Sequence, residues 1–153
     1  MNAAPPLPTP VLLSVRPAFS VQILNGTKTV EFRRRASTRL EGRPAVLYET
    51  GPTFAIVGIT SVHRVVVGTP QSLWSTYQAV GGIQAPAFHQ YFKGVEKGFA
   101  LELGPVTPLA PIELKTLREL LPGFVVPQSY RFLLEQEWAC LGPTPAAAVG
   151  NDA

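Results

Sequence analysis

Cysteine, histidine and charge are all sparse in this 153-residue chain. The lone thiol, Cys140, excludes an internal disulfide framework and any paired-cysteine zinc site. Flanked by Trp138, Ala139 and Leu141, it reads as a buried, inert thiol. The two histidines, His63 and His89, have no acidic cluster beside them, so neither a metal site nor a cofactor is implied. Both read as structural residues at or near the surface. Ser14, Ser61 and Ser129 lack a G-x-S-x-G context, which removes support for a serine hydrolase. No apolar run approaches the roughly 20 residues that cross a bilayer. The opening MNAAPPLPTP has no basic start and no apolar stretch of the secretory kind, which predicts a cytoplasmic protein without membrane attachment.

Apolar types make up 46% of the chain and charged types 15%, a balance that supports a packed core. The charge that exists is unevenly placed. Residues 1–67 carry eight Lys/Arg against three Glu, whereas residues 68–153 carry five against seven Asp/Glu. Seven of the thirteen cations fall between Arg16 and Arg43. A focused positive field of this kind attracts phosphate or another anion.

Punctuation and periodicity divide the chain into a Pro-rich leader (1–10), expected to be mobile, one domain (11–141) and a tail (142–153) expected to be disordered. Val11–Val15 is a short buried-strand pattern, and Pro17 suits the first turn of a helix that Asn25-Gly26 stops. Thr29–Arg35, Pro44–Glu49 and Thr53–Val67 read as strands, the last expected to bend near Gly58 or bulge. Thr69-Pro70 caps a helix carrying Leu73, Trp74, Tyr77 and Val80, and Phe88, Tyr91 and Phe92 mark a second with those three rings in its core face. Gly98–Leu103 and Val106–Ile112 are two further strands, and Leu114, Leu117 and Leu121 mark another helix. Tyr130–Leu141 fits a last helix, although Tyr130, Phe132 and Leu134 also alternate as a strand would. About six strands with no repeated βαβ unit predict an α+β fold: a small mixed β-barrel with flanking helices.

The densest concentration of chemistry is Gly26-Thr27-Lys28-Thr29-Val30-Glu31-Phe32-Arg33-Arg34-Arg35. Alternation puts Glu31 and Arg33 on one face of a strand and Val30 and Phe32 on the other, with Phe32 expected in the barrel core. Arg34 would then fall on the apolar face, so the strand should reach the rim there. Lys28 is expected to project from the loop, and Lys28 and Arg33 to be partly exposed. Charge alone is equally compatible with a solvated strand end carrying an incidental ion pair.

The stretch LLSVRPAFSVQILNGTKTVEFRRR resembles the opening of the ASCH (ASC-1 homology) domain family, whose signature is G-x-K-x-x-E-x-R. Gly26, Lys28, Glu31 and Arg33 fill its four positions, and the resemblance continues through AVLYETGPTFAIVGI, HQYFKGVEKGFALEL and VPQSYRFL. It implies a PUA-like barrel with a cleft lined by the signature residues, and a role in binding RNA or modified nucleosides. Some similar proteins are amidohydrolases of N4-acetylcytidine, which use a threonine three residues after the lysine and a later carboxylate. Here Glu31 occupies the first position, and no Asp or Glu lies between Glu49 and Glu96. Other similar proteins have been proposed as ribonucleases, in which cations stabilise developing phosphate charge.

The resemblance implies a ligand-binding set of Arg16, Lys28, Glu31, Arg33, Arg35, Gln128 and Ser129, with Lys28 and Glu31 the candidates for any catalysis. Lys28, Arg33 and one of Arg16 or Arg35 would meet phosphate, Glu31 would orient them or accept from a base amine, and Gln128 and Ser129 would read a base edge. Phe19, Tyr48 and Tyr130 are the rings on which a base could stack. Three readings stay open: a module binding RNA, a nucleotide or a nucleoside; an enzyme acting on such a ligand; and a protein-interaction module whose basic strand docks an acidic partner.

Overall fold

A computed structural model describes residues 8–141 of the chain. The expected tail lies outside the described residues, as do the first seven residues of the expected leader. Thr9 and Pro10 are not loose: Thr9 accepts hydrogen bonds from Arg43 through its carbonyl and hydroxyl, and the Pro10 carbonyl accepts from Leu133 N–H.

The chain begins with β1 (Val11–Val15) and α1 (Pro17–Leu24), the helix entered at Pro17 as its missing N–H allows. β2 (Val30–Arg33) ends before Arg34, whose exposed guanidinium turns away to the carbonyls of Tyr91 and Lys93. A single 3-10 turn, Thr38–Leu40, leads into β3 (Pro44–Glu49) and the long β4 (Ala55–Gly68). α2 (Pro70–Tyr77) is capped by Thr69, whose hydroxyl accepts from Ser72 N–H, and α3 (Ala85–Tyr91) follows. β5 (Gly98–Leu103), β6 (Thr107–Glu113) and α4 (Leu114–Leu120) come next.

The last segment differs from a single helix. Tyr130–Phe132 forms β7, and the helix α5 starts only at Glu135 and runs to Leu141. Tyr130 and Phe132 pair across β1 with Leu13 and Val11, so the alternation in YRF prevails over its helical spacing. The sheet therefore has seven strands, one more than expected.

Its hydrogen-bonded path runs β2-β5-β4-β3-β1-β7, with β6 added to the first half of β4. β1 and β3 are parallel and the other pairings antiparallel. β4 serves two halves of the sheet, pairing β3 and β6 early and β5 late. Register shifts at Ile56/Gly58 and Val62/Arg64 let it bend between them. The architecture is the α+β, PUA-like one expected, with the sheet left open: β2 and β7 end the path unpaired with each other.

Three apolar clusters hold it. The interior of the curved sheet contains Val11, Leu13, Leu47, Val62 and Leu101. Leu12, Val46, Tyr48 and Ile56 face the other way, under α4 and α5. The third cluster joins Val30, Phe32 and Ala100 to Leu73, Tyr77, Phe88 and Phe92 of the α2–α3 layer. Phe32 is buried as expected, but in this outer layer and not inside the barrel. Its ring meets Phe88, Phe92 and Tyr77 edge-on at centroid distances of 4.9, 6.1 and 6.4 Å. Phe32→Ala is expected to cost about 3–5 kcal/mol by urea unfolding, because a well-packed aromatic site collapses incompletely.

Candidate functional site

Where β2 faces β1 and the start of β7, side chains replace the missing ladder. The Arg33 guanidinium donates to the Ser14 carbonyl at 2.9 Å, and to the Ser129 carbonyl and hydroxyl at 3.2 and 3.1 Å. It also meets Glu31 Oε2 at 2.7 Å. Lys28 Nζ donates to the carbonyls of Val30 (2.7 Å) and Gly81 and lies 3.3 Å from Glu31 Oε1. Glu31 thus holds one cation on each carboxylate oxygen.

All three are buried, at 2% exposure for Lys28, 6% for Glu31 and 7% for Arg33. This corrects the expectation of a projecting lysine and partly exposed cations. Alternation did place Glu31 and Arg33 on one face, and that face looks into the open seam of the sheet. Burial pushes the Lys28 ammonium below the usual lysine range, and the Glu31 carboxylate offsets only part of that. Two basic side chains share one carboxylate, a formal excess of one cation, and Lys28 Nζ also lies 4.9 Å from the Phe19 ring centroid.

Above this floor lies a cleft of about 600 Å³. Its lining includes Arg16, Phe19, Gln22 and Thr50, Gln84, Ala87 and Tyr91, and Gln128 and Ser129. Six of the seven proposed ligand residues therefore converge: Arg16, Lys28, Glu31, Arg33, Gln128 and Ser129. Arg35 is exposed and absent from the lining. Tyr48 cannot stack a base, since it is 1% exposed and packs beneath α4 and α5. Tyr130 is half-buried against the interior, and of the three rings only Phe19 lines the cleft. Tyr91, expected in the core, is 37% exposed and lines it too. Cys140 is exposed, not buried, and neither histidine is among the lining residues.

The Gly81–Gln84 loop was legible only as a helix stop, yet it builds one wall. A Cβ at Gly81 would lie 2.3 Å from the Phe32 ring. At Gly82, where φ is +67°, it would strike Gln22 Oε1 and the Lys28 side chain. Two adjacent glycines exceed what a helix stop needs, and that surplus was the available signal.

No family model matches the sequence. A protein described as an ASCH domain-containing ribonuclease from Zymomonas mobilis is 33% identical over 126 residues, covering 82% of this chain and 85% of the relative. The chain belongs to the ASCH domain family. The crystal structure of ASCH from Zymomonas mobilis aligns with a TM-score of 0.84 at 31% identity, over 90% of this chain and 97% of that one. A tyrosine-to-phenylalanine variant of the same protein gives 0.82 at 32%, over 87% and 96%. The N-terminal domain of Staphylothermus marinus McrB shares the fold at 9% identity, with a TM-score of 0.55 over 92% and 96%.

Within this ASCH domain the charged floor has two measurable consequences. Glu31→Gln leaves two buried cations without an anion and is expected to cost about 3–5 kcal/mol. Between the lowered folded-state pKa of Lys28 and the ordinary 10.5, the unfolded chain holds a proton that the folded chain has released. Stability therefore rises with pH across that window. Urea midpoints of the wild type, read against Lys28→Met at each pH, should show the rise in the wild type alone.

Proposed function

We propose that this ASCH domain binds single-stranded RNA and seats one nucleotide in the cleft over Lys28, Glu31 and Arg33. The observation that carries the reading is a net positive, desolvated floor beneath a concavity of ligand size. Charge in such a setting is weakly screened and attracts a phosphate more strongly than the same charge in water would. Phe19 and Tyr91 offer faces for a base, and the Gln84 and Gln128 amides offer donors and acceptors for its edge. Arg33 and Lys28 already donate to protein oxygens, so the direct phosphate contact falls to Arg16, which is exposed at the mouth.

A second reading, phosphodiester cleavage, is favoured by the Zymomonas mobilis relative's description as a ribonuclease and by the lowered pKa of Lys28. A lysine that releases its proton more readily can serve as a general acid or base. Its partners would be Arg33 and Arg16, stabilising charge on the phosphoryl oxygens. An amidohydrolase has less to work with, because Thr27 and Thr29 are not among the lining residues. The aliphatic hydroxyls that do line the cleft belong to Ser14, Thr50 and Ser129, and Ser14 donates to the Pro127 carbonyl.

A 2′-O-methyl uridine trimer, which lacks the 2′-hydroxyl nucleophile, separates binding from turnover. Fluorescence anisotropy should give affinity that falls with salt, and Arg16→Ala should weaken it while flattening the log–log slope by about 0.7. Salt-independent binding, or an Arg16→Ala slope equal to wild type, would refute the phosphate site. Cleavage of the all-ribose trimer, lost in Lys28→Met while trimer binding persists, would establish the second reading.

A further inference from the structure

The cleft leaves much of the basic charge unused. Residues 34–43 hold Arg34, Arg35, Arg39 and Arg43 against a single acid, Glu41. Glu41 forms no ion pair with them among the described residues, and its carboxylate accepts from Val65 N–H on β4. Two of the arginines have structural work. Arg34 ties the end of β2 to Tyr91 and Lys93, and Arg43 donates to Thr9 and to the Arg39 carbonyl. Arg35 and Arg39 are exposed, and among the described residues neither side chain makes an ion pair or donates a hydrogen bond.

Arg35 follows the cleft-lining Arg33 by two residues, and Arg39 is joined to the cleft by a run of contacts. Ser129 lines the cleft and accepts from Arg33, and the next residue, Tyr130, opens β7. The Tyr130 ring meets Phe132 edge-on at 6.3 Å. Arg39 and Arg43 lie over Phe132 with guanidinium carbons 5.5 and 4.5 Å from its centroid. The path is positive, and Phe132, itself packed against the core, holds the Arg39 and Arg43 guanidinium groups along it, which suits a flexible polyanion. A globular acidic partner would need shape as well as charge.

We infer that residues 35–43 and β7 form a second RNA surface, which holds phosphates of the strand beyond the reach of a trimer seated in the cleft, through Arg35 and Arg39. The inference rests on the RNA reading of the cleft and adds where the rest of the strand is held. Backbone contacts of this kind carry register and affinity without sequence preference. The free arginines can adjust to successive phosphates because no protein acceptor fixes them.

The test compares a uridine mononucleotide, a 2′-O-methyl trimer and a 2′-O-methyl decamer on wild type, Arg16→Ala and the double variant Arg35→Ala/Arg39→Ala. Wild type should bind the decamer more tightly than the trimer. The double variant should lose about tenfold in decamer affinity and flatten the decamer slope by about 1.4, two contacts at about 0.7 each. Its mononucleotide and trimer binding should match wild type, and Arg35→Lys/Arg39→Lys should restore most of the slope. A double variant with wild-type decamer affinity and slope, while Arg16→Ala still weakens the trimer, would overturn the second surface and leave the cleft reading intact. Absence of trimer and decamer binding in wild type would instead overturn the cleft reading. Loss of an acidic peptide or of phosphatidylserine vesicles in the double variant, with decamer binding unchanged, would assign the surface to another partner and overturn the inference.

Discussion

Glu31 shares one carboxylate between two buried cations, and the open side of the sheet depends on that arrangement staying paired and dry. A sheet whose end strands do not meet leaves backbone groups at its seam without ladder partners. Arg33 spans the gap with a planar fork that reaches the Ser14 carbonyl and the Ser129 carbonyl, which also accepts from Ser14 N–H, a geometry a lysine cannot reproduce. Putting that guanidinium out of water requires an anion beside it, and Glu31 is two residues away on the same face. Lys28 then fixes the other oxygen of Glu31 while closing onto Val30 and Gly81. The signature spacing follows from geometry. The i,i+2 step keeps Glu31 and Arg33 on one face, and the loop before the strand brings Lys28 back to the same point.

The strand that carries this group is four residues long and works on both faces. Val30 and Phe32 anchor the α2–α3 layer, and the loop after α2 supplies Gly81 to Lys28 and Gln84 to the cleft wall. Packing of Phe32 and placement of Lys28 are therefore coupled through the same loop. The glycine pair permits that closeness, since a Cβ at Gly81 would strike the Phe32 ring and one at Gly82 would strike Gln22 and Lys28. A change in the outer aromatic cluster is a change in the shape of the cleft.

Much of this was readable from residue order because the cues were local. Pro17 and Thr69-Pro70 marked helix starts, Pro44–Glu49 and Gly98–Leu103 matched their strands, and the 26–33 signature identified the floor. The failures have one cause: they turned on which surface another element covers. Alternation separates the faces of β2 without saying that the charged one is enclosed by Ser14 and Ser129, nearly a hundred residues away from the latter. It cannot say that α4 and α5 bury Tyr48, or that Cys140 falls on the outer side of its helix. In YRF the strand and helix patterns coincide over three residues, and only the free edge of β1 decides between them.

The cations divide into two populations with different physics. Lys28 and Arg33 have protein acceptors, sit in apolar surroundings and contribute a field that added salt screens weakly. Arg16, Arg35 and Arg39 are exposed, lack ion-pair partners among the described residues and are screened strongly. The first group cannot move without breaking the seam, so it sets the position and polarity of the cleft from fixed places. The second can rearrange at small cost, because solvent already satisfies it. The proposed seating of one nucleotide draws on the fixed field at the floor, and the proposed hold on its strand draws on the adaptable contacts at the rim. Both depend on the crowding of seven cations within 28 residues of a chain whose net charge is only +3. Spread evenly, the same charge would raise solubility without focusing a field anywhere.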